Sequence, residues 1–120
     1  MLRDKMECKM SKHSRFRPAF KVWIEYEGKS VLGEGGATIL ERVKKEGSIT
    51  TAAEKLGMSY RYVWNYLNEI KEIIGEPVVK TFKGGKSGGG GAELTELGEY
   101  LLREYRRASD AMEHLVLGKN

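Results

Sequence analysis

Between Gly47 and Gly75 the chain reads GSITTAAEKLGMSYRYVWNYLNEIKEIIG, and no other stretch limits its possible folds so narrowly. Ser48 is a good N-cap residue, so a short helix is expected from it through Ala52, Ala53 and Leu56. Gly57 ends that helix, as glycine does where the chain must turn with positive φ. Ser59 then caps a longer helix in which Val63, Leu67, Ile70 and Ile74 recur at spacings of four, three and four, a single buried stripe. Gly75 and Pro77 stop it. The small alanines of the first helix let the second cross it closely. The pattern is that of a helix-turn-helix; the plainer reading is two ordinary helices of a small helical domain.

What flanks the pair separates these readings. Residues 1–18 are polar and basic without periodicity and are read as a loosely ordered arm; residues 19–120 are read as one domain. Phe20 to Tyr26 is β-rich, Glu27-Gly28-Lys29 is a turn and Ser30 to Gly33 a short returning strand, which together predict a hairpin. Gly35-Gly36 should separate it from a helix at about Ala37–Lys45, buried through Ile39, Leu40 and Val43. After the second helix of the pair, a strand is expected over Val78–Lys83. A loop with six glycines in eight residues follows (Gly84–Gly91), then a strand over Ala92–Thr95. Strand, glycine loop, strand, spanning about 78–95, is a wing. A long final helix is expected over about 96–117 with Thr95 as its cap. There Leu101, Tyr105, Ala108, Met112 and Leu115 fall at spacings of four, three, four and three, a heptad seam that must either pack on its own domain or pair with a second copy; homodimerisation is the expectation. The expected fold class is therefore α+β, mostly α: a winged helix-turn-helix with an N-terminal β-hairpin and a long C-terminal dimerisation helix.

The net charge of +4 is unevenly spread: residues 1–21 carry seven Lys/Arg against Asp4 and Glu7, so the rest of the chain is close to neutral. From Glu93 to Glu113 six acids oppose three arginines. A nucleic-acid partner would thus be held by a local patch, not by a broad basic surface. One cysteine, Cys8, and two distant histidines, His13 and His114, argue against a disulfide, a metal site or a Cys/His nucleophile. No apolar run reaches membrane-spanning length and no signal peptide is seen, so a cytoplasmic location and no membrane partner are expected.

Gly85-Lys86-Ser87 superficially suggests a nucleotide-binding loop. The G-x-x-x-x-G-K-[ST] pattern would need glycine at Lys80 and a helix after Ser87, and both requirements fail. Glu93, Glu96 and Glu99 suit a solvated helix start. No enzymatic constellation and no cofactor are expected.

The exposed face of the longer helix carries the chemistry. Arg61 can grip guanine O6/N7 and Asn65 adenine N6/N7. Ser59, Tyr60 and Tyr62 assist, with hydroxyls for phosphates and ring faces for thymine methyls. Thr50, Lys83, Lys86 and Ser87 are expected to hold phosphates of double-stranded DNA. Trp64 is read as a core or hinge residue rather than a base contact. The alternative from another class is a winged-helix module that docks a protein partner.

The run GSITTAAEKLGMSYRYVW, the glycine wing and the Leu94-Thr95-x-x-Gly98 start of the last helix stand in order and at matching spacing. From about Val22 to Tyr105 the chain resembles the DNA-binding domain of ModE-type molybdate-responsive transcription regulators and, more distantly, the N-terminal domain of LysR-type regulators. The resemblance implies a winged helix-turn-helix that dimerises through its long helix. It also implies a second arginine where this chain has Tyr62, so the operator read here should differ. Full-length regulators of that type carry C-terminal oxyanion-binding domains, for which no stretch before Asn120 provides. The expectation is a regulator without its own oxyanion-binding domain, either standing alone or working with a separate sensor.

Overall fold

The computed structural model describes residues 13–83 and 90–118. Most of the basic arm, Cys8, and the wing-tip residues Lys86 and Ser87 lie outside the described residues. The order is β1 (Ile24–Tyr26), β2 (Lys29–Leu32), α1 (Glu34–Glu46), α2 (Ile49–Leu56), α3 (Tyr60–Ile74), β3 (Val79–Phe82), β4 (Gly91–Leu94) and α4 (Glu96–Leu117).

Local chemistry sets most of these boundaries. Three helices begin at hydroxyl caps: Ser48 Oγ accepts from the Thr51 amide at 3.1 Å, Ser59 Oγ from Tyr62 at 3.0 Å and Thr95 Oγ1 from Gly98 at 3.1 Å. Gly47, Gly57 and Gly75 end α1, α2 and α3 in the left-handed region. The hairpin turns through Glu27 (φ 48°) and Gly28 (φ 83°) between the paired Tyr26 and Lys29. Two successive positive φ values match the right-handed twist of antiparallel strands.

Two boundaries differ from expectation. The first strand begins at Ile24, not near Phe20, because its partner ends at Leu32, where Gly33 already caps α1. Residues 20–23 have nothing to pair with. And α1 starts at Glu34, so Gly35-Gly36 lie inside its first turn instead of separating it from the hairpin. Gly36 is there for space: a β-carbon would overlap the Tyr66 hydroxyl and come within 2.7 Å of Leu32 Cδ1. Tyr66 is thereby tucked against α1, where burial, more than its neighbours Tyr62 and Glu69, raises its phenol above the usual range; a hydrogen bond with the Gly33 backbone acts in the opposite sense.

The core sits around α1, which packs against β2, α2, β4 and α4. Leu32, Ile39, Leu40, Val43, Val63, Val78 and Leu102 are essentially inaccessible to solvent, each contributing roughly 1.5–3 kcal/mol of apolar burial. No charged or polar residue is buried among the described residues. The wing strands pair antiparallel, Val79 with Leu94 through Phe82 with Gly91; the first is shorter than expected by one residue at each end and the second is shifted one residue earlier. Thr95 leaves the ladder to cap α4, while its amide still donates to Val78 O at 3.0 Å and its hydroxyl to Pro77 O at 2.8 Å. The wing is anchored to the helices by the Ala92 amide, which donates to Gly47 O at 2.9 Å.

Candidate nucleic-acid interface

α3 faces inward with Val63, Leu67 and Ile70 buried. At 100° per residue, Arg61 and Asn65 fall opposite that stripe, Tyr60 and Trp64 on the flank beside them and Tyr62 on the far flank. All five are exposed. The first two turns of α3 contain no acid, whereas exposed Glu69 and Glu72 occupy the second half. Free amides and Arg61 make the leading end positive, and the carboxylates make the trailing end repel phosphate. The helix is therefore polarised to approach a polyanion by its N-terminus.

The wing supplies a second wall. A groove of about 370 Å³ is lined by Ser48, Ile49 and Thr50 at the start of α2, by Tyr60 of α3, and by Thr81, Phe82, Lys83, Gly90, Gly91 and Ala92 of the wing. The fold thus brings together Thr50, Tyr60 and Lys83, residues far apart in sequence. Ser48 and Ser59 lie beside them, but their hydroxyls are engaged as caps. Among the described residues Arg61 and Lys83 have no salt-bridge partner. Lys80, by contrast, is paired with Glu93 at 3.1 Å, Lys44 with Glu99 at 2.9 Å and Arg106 with Glu41 at 2.6 Å, the last two joining α1 to α4. Lys83 at the groove and Arg61 on the outer surface of α3 are thus uncommitted.

Trp64 is not a core residue, although on one side it lines a cleft with Ile49, Leu67, Pro77 and Val79 between the helices and the wing. It is 45% exposed and lines a depression with Tyr60, Arg61 and Asn65 on the outer surface of α3. Sequence reasoning also missed Thr81 and Phe82. The signal was in the register: Phe82 pairs with Gly91, and its ring lies over that glycine so closely that a β-carbon there would be 2.5 Å from Cε2. An aromatic covering a cross-strand glycine stays half exposed at the wing, facing the groove.

The heptad seam of α4 divides. Leu101 and Tyr105 are buried in their own domain beside Leu102, which the heptad reading left out. They belong to the core and are not free for a second copy. Ala108 and Met112 are half-buried and Leu115 is 77% exposed, so only the distal half of the seam is open to a partner.

Two helices crossing at a glycine turn, a hairpin wing tied to their base and an uncommitted leading face on the second helix define a winged helix-turn-helix. The profile of bacterial regulatory helix-turn-helix proteins of the lysR family matches residues 37–99, just over half of the chain, and the chain belongs to that family. Within that family the chain is similar to regulators of the ModE type. It is 36% identical over 74 residues to the molybdenum-pterin-binding protein MopB of Rhodobacter capsulatus, covering 62% of this chain and 27% of that protein. It is 37% identical over 68 residues to the DNA-binding transcriptional dual regulator ModE of Escherichia coli K12, covering 57% of this chain and 26% of that protein. The matched stretch spans about a quarter of the length of these relatives. The fold is also that of Lactococcus lactis ZitR, at a TM-score of 0.52 and 17% identity, covering 100% of this chain and 86% of that one.

Proposed function

We propose that the protein is a sequence-specific DNA-binding transcription regulator that works as a homodimer. The observation that carries this reading is the polarised face of α3, with Arg61 and Asn65 opposite the core stripe and the wing groove alongside. Arg61 and Asn65 read base edges in the major groove, while Ser59, Tyr60 and Tyr62 flank them. Thr50 and Lys83 hold phosphates, joined by Lys86 and Ser87 at the wing tip. The open end of α4, through Ala108, Met112 and Leu115, pairs with a second copy, so that two recognition helices read half-sites about one helical turn apart. The E. coli relative is named a DNA-binding regulator, which supports the same reading. The molybdenum in the name of the R. capsulatus relative is assigned to no residue here, since the shared stretch is a quarter of that protein.

The test is selection from a random duplex library followed by mobility-shift titration at several salt concentrations. Specific retention is expected, with affinity falling steeply between about 50 and 200 mM salt as phosphate contacts release counterions. If no duplex is retained specifically near 50 mM salt, the reading fails.

A further inference from the structure

Resting on the DNA-binding reading, we propose that Trp64, with Tyr60, is a specificity-determining residue that takes the C5-methyl group of a thymine. Tyr60 and Trp64 are an i, i+4 pair, as are Arg61 and Asn65, and the four line one depression on the outer surface of α3. The two aromatic rings are half exposed, 49% and 45%, although the chain had core positions one turn away at Val63 and Leu67. Large apolar surface left open beside hydrogen-bonding groups gains by covering something apolar. In the major groove the apolar feature of a base edge is the thymine methyl, which protrudes next to the donors and acceptors that arginine and asparagine read. The side-by-side pairs fit that layout: a polar pair aimed at base edges and an aromatic pair that shelters a methyl of the same or the adjoining base pair. Tyr100, on α4 and as exposed at 50%, is outside this depression and serves as the internal control.

The experiment uses the full chain and a synthetic duplex selected by it, free of 5-methylcytosine, so that thymine is the only source of the methyl. Each thymine is replaced in turn by deoxyuridine, which removes the methyl and keeps the base pairing. At one or two positions per half-site the wild type should bind about fourfold more weakly, the worth of one buried methyl. With Trp64→Ala that thymine-to-uracil ratio should fall to one, with Trp64→Phe it should persist in part, and with Tyr100→Ala it should be unchanged. Where Trp64→Ala fails to fold by circular dichroism, Tyr60→Ala on the other wall is read in its place. A wild type indifferent to uracil at every position, or a ratio that survives Trp64→Ala, overturns the proposal while leaving DNA binding standing. Failure of the wild type to retain any duplex overturns both.

Discussion

Gly98, in the first turn of α4, lies so close to the Val78 carbonyl that a β-carbon on it would overlap the carbonyl oxygen. The obstacle is backbone at the entrance to the wing, held on its other side by the Thr95 amide. Gly98→Ala should therefore destabilise the domain by roughly 3 kcal/mol, the upper part of the range for overpacking. The measurement is the urea midpoint at unchanged slope, and a midpoint within error of wild type would show that α4 can slide away.

Thr95 holds the same corner by its hydroxyl, which accepts from Gly98 and donates to Pro77 O. Thr95→Ala should cost about 1–2 kcal/mol. Thr95→Ser, which keeps both hydrogen bonds, should recover most of it in the same denaturation assay.

The divided seam of α4 predicts two different phenotypes from one heptad pattern. Leu101→Ala opens a cavity in the core and should lower stability by about 2–5 kcal/mol. Met112→Glu lies beyond the core, and should leave the fold intact while converting dimer to monomer by light scattering. An unchanged mass for Met112→Glu would remove the distal seam as the dimer contact.

The alkaline limb of stability should depend on Tyr66. Its phenol is raised above the usual value of 10.0 mainly by burial. Below that value both states keep the proton and the group adds no pH dependence. Above it the unfolded chain ionises first, so stability falls as pH rises until the folded phenol ionises too. Tyr105, likewise raised chiefly by burial, contributes in the same direction. Tyr66→Phe should flatten part of this limb in denaturation curves taken above pH about 10, and an unchanged slope would place the titration elsewhere.

On DNA, Arg61→Ala should cost about 1–3 kcal/mol and relax specificity at one base position. Lys83→Ala should weaken all sequences alike and lower the salt slope by about one. Titration of both variants against single-base operator changes separates the two roles. Uniform weakening by Arg61→Ala would make it a phosphate contact instead.

The sequence alone determined the elements whose causes are local. Ser48, Ser59 and Thr95 are followed by helices because a hydroxyl satisfies an amide three residues on, and Gly47, Gly57 and Gly75 end helices because they accept positive φ. The apolar stripe of α3 fixed which of its faces points outward, and so exposed Arg61 and Asn65. Tertiary structure decided everything that turns on what lies opposite a residue. Gly35-Gly36 looked like a break and became the first turn of α1, where position 36 has no room for a side chain because Tyr66, thirty residues on, fills the space beside it. The seam of α4 looked continuous, yet half of it meets its own core. Of the core and hinge readings of Trp64 the first fails, because the places beneath α3 are filled by Val63, Leu67 and Ile70. Caps and periodicity act within a few residues and are written in the chain; burial is a property of neighbours, and the neighbours are chosen only when the helices and the wing close on one another.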